Sequence, residues 1–171
     1  MDKLLIEKIH TDAKVPERTN PTDAGLDVCF HNIQSIYVHA GGNGEAKLEA
    51  TAFKRRFVDN TLTLSYLERA LIGTGIKIAV PDGYEVQVRP RSGLALKQGF
   101  EVVNSPGTID SGYRGEVCVI LKNGSRADQQ ISLGDRIAQL VVNKVELPEI
   151  EVVPTLPPST RGAAGFGSSG K

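Results

Sequence analysis

Residues 101–121 have the sequence EVVNSPGTIDSGYRGEVCVIL, and this stretch carries most of the information about the fold. Its two ends are apolar, at 102–103 and 117–121, and the segment between them contains Pro106 and three glycines. Apolar runs that flank turn-forming residues predict a β-hairpin, here with a wide tip shaped by glycine.

The tip of this hairpin holds more polar side chains than a turn needs: Asn104, Asp110, Tyr113 and Arg114. Because glycines let a ligand approach the backbone closely, we expect free N–H and C=O groups there to recognise the edge of a planar ring. Asp110 would then act as a general base toward water, and Tyr113 would lie against a sugar. The alternative is an ordinary loop in which Asp110 forms an Asx-turn and Tyr113 packs half buried.

Outside this hairpin, the chain consists mainly of short alternating segments separated by turns. Strands are predicted at 3–9, 24–30 and 61–66. Two hairpins are predicted, one at 76–88 around a turn at 81–83 and one at 130–142 around a turn at 134–135. A last strand segment is predicted at 145–153, where Pro148 interrupts it. The less regular region 31–70 is expected to form extra hairpins. Short strands at this spacing, with almost no helical periodicity, predict an all-β sandwich or barrel.

Length, charge and cysteine usage limit the possible functions. The 171 residues suit one domain, and 20 basic and 20 acidic side chains cancel, so no global field attracts nucleic acid or a membrane surface. The Lys-Arg-Arg run at 54–56 is expected to be a solvated loop.

Cys29 and Cys118 lack the spacing of a zinc or redox motif, so both are predicted to be small core residues. Without a long apolar run or a leader sequence, a reducing cytoplasmic location is expected.

A second candidate site follows the predicted strand that ends at Val88, in the sequence RPRSGLALK at 89–97. This sequence predicts a strand, a sharp turn and one short helix with Ser92 as its N-cap. The unpaired N–H groups at the helix start, next to Arg91, would suit a phosphate. The alternative is a capped helix whose arginine is only solvated.

Asp27 also has two interpretations, as part of a site or as an exposed aspartate at the start of a strand.

The C-terminal residues 154–171 are rich in Pro, Gly and Ser, and they have too few apolar side chains to offset the entropy of ordering, which predicts a mobile tail. The tail contains literal GxGxxG and GxxxxGK patterns, but no strand precedes them and no helix follows, so neither a dinucleotide fingerprint nor a P-loop is expected. Its flexible backbone, its hydroxyls, Arg161 and Phe166 would instead suit closure over phosphates and stacking on a base. The alternative is a disordered tail without a role.

Five motifs, taken in order along the chain, resemble those of the trimeric dUTP pyrophosphatases. They are AGLD at 24–27, PRSGLA at 90–95, NSPGTIDSGYRG at 104–115, GDRIAQL at 134–140 and RGAAGFGSSG at 161–170. The resemblance implies a distorted β-barrel of the jelly-roll type with one short helix, assembled as a homotrimer with shared active sites. It also implies a barrel domain at 1–153 and a flexible arm at 154–171 that closes over the active site of a neighbouring subunit.

The resemblance further implies a role for each matching residue. Asp110 would orient and deprotonate the attacking water and touch the sugar 3′-hydroxyl, Tyr113 would pack under the deoxyribose and exclude a 2′-hydroxyl, and Asp27 would support the site. Uracil would be recognised by Asn104 and by the hairpin backbone at Gly107, Thr108 and Ile109. The phosphates would be held by Arg91, Ser92, Gly93 and Gln139. The arm would contribute Arg161, Phe166, Gly167, Ser168 and Ser169.

The implied reaction is the hydrolysis of dUTP to dUMP and pyrophosphate by attack of water on the α-phosphorus. It limits the incorporation of uracil into DNA and supplies dUMP for dTMP synthesis. No cluster of His, Cys or carboxylate residues resembles a preformed metal cage, so Mg²⁺ would arrive with the triphosphate and be held by its oxygens and by water. Because the chain offers no strong nucleophile, positioning and charge neutralisation must supply most of the rate.

Some features leave alternatives open. The segment between Asp27 and Gly73 is longer than is usual in the family, which suggests an insertion at about 41–59 that decorates the surface or forms a partner-binding arm. A partner-binding arm supports a rival function, a dUTP-responsive regulatory protein. A second rival, dCTP deaminase, would need a catalytic glutamate where this hairpin has IDSGYRG. Ser169 stands where threonine is common in the family, and it keeps a hydroxyl.

Overall fold

The computed structural model describes residues 3–40, 44–47 and 55–165. Within these ranges the chain forms thirteen β-strands and one complete α-helix. The strands are β1 (Leu5–Lys8), β2 (Gly25–Cys29), β3 (Asn32–Ala40), β4 (Gly44–Lys47), β5 (Phe57–Val58), β6 (Thr61–Leu64), β7 (Arg69–Ala79), β8 (Tyr84–Arg89), β9 (Phe100–Val102), β10 (Gly107–Ile109), β11 (Glu116–Asn123), β12 (Gln129–Ser132) and β13 (Arg136–Lys144). The helix, α1 (Ser92–Gln98), lies between β8 and β9.

The strands form three antiparallel sheets. The largest has the order β4-β3-β7-β11-β9, with β1 paired to the second half of β7. A four-stranded sheet has the order β10-β8-β13-β2, and a three-stranded sheet has the order β12-β6-β5. Neighbours in these sheets are rarely consecutive in sequence, which is typical of a jelly roll. The predicted all-β jelly-roll fold is therefore confirmed.

The core lies between the sheets, where several strands bury alternate residues. In β11, Val117, Val119 and Leu121 face inward, and the residues between them are half-buried. Strand β6 repeats the pattern with Leu62 and Leu64, as its alternation predicted. Full burial of such side chains stabilises the fold by roughly 1.5–3 kcal/mol each. These two strands, which belong to different sheets, therefore both stabilise the core.

The pairing predicted for two hairpins is wrong. The turn at 81–83 is present, since the amide of Tyr84 donates to the carbonyl of Pro81 at 3.1 Å, but β7 and β8 lie in different sheets. Similarly, β12 pairs with β6 whereas β13 pairs with β2 and β8, so 130–142 is not a hairpin either. A turn reverses the chain but does not decide which strands pair. In a sandwich, successive strands can cross from one sheet to the other, and this crossing buries the inner faces of both sheets.

The stretch 101–121 is a hairpin at its base, as predicted, and spans two sheets at its tip. At the base, β9 pairs with β11, with Val102 opposite Leu121. The tip contains the extra strand β10, which pairs with β8 in the four-stranded sheet. The region predicted to be a glycine-shaped loop therefore links the sheets, and Asp110 follows directly after β10.

Helix α1 confirms the predicted short helix, but Ser92 is not its N-cap. The N-cap is Arg91, which has extended backbone angles (φ −92°, ψ 128°) and makes no side-chain capping hydrogen bond. Its guanidinium binds Asp27, and because its backbone is extended, Ser92 is the first helical residue. The helix ends at Gly99, whose left-handed φ of 70° favours glycine.

The chain beyond β13 forms no strand in the described residues, so the strand predicted at 145–153 is wrong. Residues 146–165 are exposed throughout, and Ile150 and Val152 are 95% and 93% exposed. None of the described strands pairs with this segment, and an extended segment without a partner has no ladder of hydrogen bonds. The tail predicted at 154–171 is exposed as far as Gly165.

Much of the insertion predicted at 41–59 lies outside the described residues. Its described part includes β4, which pairs with the end of β3.

The Lys-Arg-Arg run at 54–56 is only partly solvated. Lys54 is outside the described ranges and Arg55 is exposed, but Arg56 is not the solvated residue expected. Its guanidinium binds the buried carboxylate of Glu68 and, at 2.9 Å, the hydroxyl of Ser65.

Across the described ranges, no helix is long and apolar enough to cross a membrane.

Candidate active site

The structure divides the predicted site residues between two clefts. The first, named the arginine cleft, has a volume of about 370 Å³ and lies where β2, β13 and the start of α1 meet. The second, named the hairpin cleft, has a volume of about 230 Å³ and lies between the tip of the 101–121 hairpin and β8. The arginine cleft is lined by Thr19, Asp23, Ala24, Gly25, Asp27, Arg91, Ser92, Gly93 and Gln139. The hairpin cleft is lined by Val88, Asn104, Gly107, Thr108, Ile109, Asp110, Tyr113, Val117 and Cys118.

Asp27 organises the arginine cleft by binding two arginines. Its Oδ1 accepts from Arg91 Nε at 2.8 Å, and its Oδ2 accepts from Arg91 Nη2 at 3.3 Å and from Arg136 Nη1 at 3.0 Å. The side chain of Asp27 is only 17% exposed, so the alternative of an exposed strand-start aspartate is wrong. A forked, charge-assisted pair of this kind fixes the plane of a guanidinium.

Arg91 keeps donors that are free to bind an anion. Its Nη1 donates to the carbonyl of Arg136 at 3.2 Å, so three of its five N–H groups are used, counting the two that bind Asp27. The other two have no partner among the described residues. Ser92 and Gly93 are exposed beside it at the start of α1 and add a hydroxyl and backbone N–H groups.

Gln139 is brought to the arginine cleft by strand register. On β13 it lies opposite Asp27 of β2 on one side and Arg89 of β8 on the other. Its Nε2 donates to the carbonyl of Pro90 at 3.0 Å. A Cβ on Gly25 would overlap the Oε1 of Gln139 and lie 3.1 Å from its Cδ, so the glycine leaves space for the amide in its present position.

In the hairpin cleft, the side chain of Asn104 and the strand β10 face each other. A Cβ on Gly107 would lie 2.8 Å from the Nδ2 of Asn104 and 3.4 Å from the Cβ of Val88, so the glycine allows this close approach. The strand β10 uses one edge to pair with β8, and its other edge has no strand partner in the described residues. That edge, with Gly107, Thr108 and Ile109, offers backbone groups to a planar ring.

Asp110 is exposed at the mouth of the hairpin cleft. Its carboxylate makes no hydrogen bond or ion pair with any of the described residues, and the turn after β10 is closed by the amide of Tyr113, which donates to the backbone carbonyl of Asp110 at 3.1 Å. The turn therefore does not use the carboxylate as an Asx-turn would. An unpaired carboxylate at this place is available to accept a proton from water.

Tyr113 forms one wall of the hairpin cleft and is 44% exposed. Its hydroxyl donates to the backbone carbonyl of Glu116 at 2.8 Å, and its ring packs on Gly115, where a Cβ would lie 2.6 Å from the Cζ of the tyrosine. Burial, followed by the charges of Cys118 and Glu116, raises the pKa of Tyr113, so its hydroxyl remains a donor. The ring is thus held at its outer end and along one face.

Both cysteines are half-buried and free, whereas the sequence predicted core residues. Burial, followed by the charge of Glu116, raises the pKa of Cys118 to about 11. Burial also raises the pKa of Cys29. Because the thiolate is the nucleophilic form, neither thiol suits covalent catalysis at neutral pH.

The two clefts share no lining residue, so the described part of one chain does not bring the predicted site residues into a single site. Arg161 lies in neither cleft, since its guanidinium donates to the carbonyls of Ala164 and Gly165 on the exposed tail, at 2.9 and 3.1 Å. Phe166, Gly167, Ser168 and Ser169 lie outside the described residues.

The residues of the two clefts do not suit a metal held by protein alone. In the described ranges, no group of three or more His, Cys, Asp or Glu side chains is placed to hold a metal ion. Both oxygens of Asp27 are already bound to arginines. A hard cation at this site would therefore need oxygen ligands from a bound anion and from water.

Arg136 and two glycines contact the candidate site residues, and the sequence did not single them out. Arg136 lies inside the GDRIAQL motif, and its position beside a predicted strand was the available signal. Gly25 and Gly115 leave space for Gln139 and Tyr113, but no sequence pattern shows which side chain a glycine makes room for. These partners are known only once the strands are paired.

Comparison with known proteins gives a consistent result. The dUTPase family model matches residues 57–170. Proteins named deoxyuridine 5′-triphosphate nucleotidohydrolase are similar over nearly the whole chain: that of Rhodococcus erythropolis is 41% identical over 98% of this chain and 85% of its own, and that of Nautilia profundicola is 41% identical over 99% of each. The solved structure of the Staphylococcus bacteriophage 80alpha dUTPase with dUPNHPP has a TM-score of 0.76, 26% identity and coverage of 100% of each chain.

Proposed function

The chain belongs to the dUTPase family, and on that basis we propose that Asp110 is the general base with which it hydrolyses dUTP to dUMP and pyrophosphate. The observation that carries the proposal is the Asp110 carboxylate, exposed at the mouth of the hairpin cleft and unpaired among the described residues. A base must be close to the proton it removes, and a carboxylate without a competing partner is free to orient water.

In this mechanism Asp110 accepts a proton from water as the water oxygen attacks the α-phosphorus. The bond between the α-phosphorus and the bridging oxygen breaks, and pyrophosphate leaves with the electron pair of that bond. The guanidinium of Arg91, through its two free N–H groups, neutralises part of the phosphate charge that resists attack. Ser92, Gly93 and Gln139 hold the phosphates by hydrogen bonds. Asp27 keeps the guanidinium of Arg91 in place for this role.

Specificity for the nucleoside belongs to the hairpin cleft. Asn104 and the free edge of β10, at Gly107, Thr108 and Ile109, recognise the edge of uracil, and their close approach excludes a 5-methyl group. Tyr113 packs under the deoxyribose, where its ring leaves no space for a 2′-hydroxyl. Asp110 also touches the sugar 3′-hydroxyl in this arrangement.

Mg²⁺ is part of the proposal as an ion that the substrate brings. Its ligands would be phosphate oxygens and water, in keeping with the two carboxylate oxygens of Asp27 that arginines already occupy. When bound, it supplies charge neutralisation to the triphosphate.

We further propose that the active enzyme is a homotrimer whose sites form between subunits. Two observations support this: the arginine and hairpin clefts share no lining residue, and the segment after β13 exposes Leu147, Ile150, Val152 and Leu156. Apolar side chains in an exposed segment without a strand partner suit packing on another copy. In this assembly, residues 1–153 form the barrel domain and 154–171 form the arm that closes over a site with Arg161, Phe166, Gly167, Ser168 and Ser169.

A reducing, cytoplasmic setting belongs to the same proposal and is supported by the two free thiols, Cys29 and Cys118. The rival regulatory function is not favoured, because the family model and the curated relatives indicate the hydrolase. The insertion at about 41–59 is proposed to decorate the surface.

The test is the release of pyrophosphate from dUTP, dTTP, dCTP and UTP with Mg²⁺, by the wild type and by Asp110→Asn. We expect hydrolysis of dUTP alone, and a loss of about a hundredfold to ten-thousandfold in kcat for Asp110→Asn, with binding of a non-hydrolysable dUTP analogue largely kept. Asp82→Asn, in the exposed turn after β7, is the matched control and should behave as the wild type. Equal hydrolysis of all four nucleotides would contradict the function, and an Asp110→Asn variant within tenfold of the wild type would contradict the role of the base.

A further inference from the structure

The carboxylate of Glu116, the first residue of β11, accepts three hydrogen bonds from other strands. Its Oε1 accepts from the Nδ2 of Asn32 at 2.9 Å and from the amide of Gly75 at 2.7 Å. Its Oε2 accepts from the Nε2 of Gln34 at 2.9 Å. Hydrogen bonds to a charged acceptor are stronger than neutral ones, so residue 116 is fixed to β3 and β7.

These residues lie where the sheet itself is irregular. The group is named the Glu116 cluster and consists of Asn32, Gln34, Gly75 and Glu116. The register of β11 against β7 shifts just after Glu116, and the register of β3 against β7 shifts at Gln34. A bulge interrupts the ladder of backbone hydrogen bonds. The side-chain bonds of Glu116 therefore hold the start of β11 at a point where the regular ladder does not.

The Glu116 cluster is connected to the hairpin cleft through one backbone atom. The carbonyl of Glu116 accepts the hydrogen bond of the Tyr113 hydroxyl at 2.8 Å. The ring of Tyr113 also packs on Gly115, the residue before Glu116. The position of the ring is thus set by residues 115 and 116, and the position of residue 116 is set by the cluster.

We propose that Glu116 is a positioning residue for Tyr113 and thereby determines how strongly the enzyme prefers deoxyribose to ribose. The inference rests on the proposed function of Tyr113 beneath the sugar. A ring that must exclude a single oxygen atom has to be held rigidly, because a small displacement creates the space for a 2′-hydroxyl. Glu116 lines neither cleft and acts only through the tyrosine.

The test compares kcat/KM for dUTP and for UTP in the wild type, Glu116→Gln, Tyr113→Phe and the double variant. Glutamine keeps the shape of Glu116, but one of its terminal groups is a donor and opposes a donor of the cluster. Gln34→Ala, which removes one of the three bonds at an exposed position, is the second variant in case Glu116→Gln does not fold. Glu101→Gln is the matched control, since Glu101 lies in the same sheet but pairs with Lys122 at 2.7 Å.

We expect Glu116→Gln to lower the dUTP-to-UTP ratio of kcat/KM by about tenfold, mainly through the two KM values, with kcat for dUTP nearly unchanged. Gln34→Ala should lower the ratio by about twofold to threefold. In the Tyr113→Phe background, Glu116→Gln should have a much smaller effect on the ratio, because the hydrogen bond from the tyrosine hydroxyl to residue 116 is absent and only the packing on Gly115 remains. Glu101→Gln should keep the wild-type ratio.

The inference is overturned if folded Glu116→Gln or Gln34→Ala loses thermal stability but keeps the wild-type ratio, which is the behaviour of a merely structural residue. It is also overturned if the effects of Glu116→Gln and Tyr113→Phe on the ratio are additive. The proposed function fails separately, in the wild type, if dUTP is not preferred to UTP.

Discussion

At the scale of single residues, the site depends on glycines as much as on polar groups. Three glycines each leave space for one site side chain: Gly25 for Gln139, Gly107 for Asn104 and Gly115 for Tyr113. In each case the missing Cβ would overlap the neighbour or press closely on it. The substitution of a glycine that touches no substrate is therefore expected to change binding.

Gly25→Ala should raise KM for dUTP by about tenfold and change kcat little, because the new Cβ displaces the amide of Gln139 from the carbonyl of Pro90. Steady-state kinetics checks this. In a Gln139→Ala background the same substitution should have no further effect, since the displaced group is absent. A further rise of KM in that background would show that Gly25 acts through some other contact.

Cys118 is expected to affect stability only in alkaline solution. Its pKa is raised to about 11 in the folded protein from 9.0, so between about pH 9 and 11 the unfolded thiol ionises while the folded thiol stays protonated. The folded state then binds more protons, and the stability that Cys118 contributes is lost as pH rises through this range. The stability difference between the wild type and Cys118→Ala, from chemical unfolding, should be constant below pH 9 and decrease above it. A difference independent of pH would contradict this assignment.

At the scale of elements, short side-chain contacts hold segments that the sheets do not. Strand β5 has only two residues, and the segment before it is attached to the body by Arg56, which binds the buried Glu68 before β7. Glu68 also accepts a hydrogen bond from the amide of Ser65 at 2.7 Å. One buried carboxylate thus closes the β6–β7 connection and fixes the end of the predicted insertion.

Glu68→Gln should lower the free energy of unfolding by about 1–3 kcal/mol, because it removes the charge that Arg56 faces and leaves a buried polar group imperfectly paired. Urea unfolding measures the change. Glu101→Gln removes a more exposed ion pair, with Lys122, and should cost less than about 1 kcal/mol. Equal losses in both variants would mean that the burial of Glu68 has no energetic consequence.

At the scale of the whole molecule, the separation of the two clefts is the main finding. The hairpin cleft holds the proposed base and ring contacts, and the arginine cleft holds the proposed phosphate contacts. Neither cleft alone can position water against a phosphorus. If sites form between copies, the clefts that cooperate belong to different subunits.

This arrangement predicts complementation between two inactive variants. Asp110→Asn and Arg91→Ala should each be nearly inactive, but unfolding and refolding them together at equal amounts should restore about a quarter of the wild-type activity, because that share of sites combines two intact clefts. Mixing without refolding is the control and should restore little. A refolded mixture that stays inactive would show that both clefts of a site come from one chain.

The sequence alone determined the strand-rich fold and the positions of most turns, and it indicated the candidate residues of the site. Alternation at 61–66 marks the buried face of a strand, because side chains on a strand alternate between its two faces. The tip residues Asn104, Asp110 and Tyr113 were identifiable because the polar groups exceed what a turn requires, and the order of the five motifs indicated the family.

Only the tertiary structure decided which strands pair and which side chains meet. Strands β7 and β8 follow each other around a turn but lie in different sheets, and Arg91 binds Asp27 across 64 positions of sequence. The physical reason is the same in both cases. Local patterns record the conformation and exposure of a residue, whereas partners are chosen by burying several surfaces at once, and that choice depends on the whole chain.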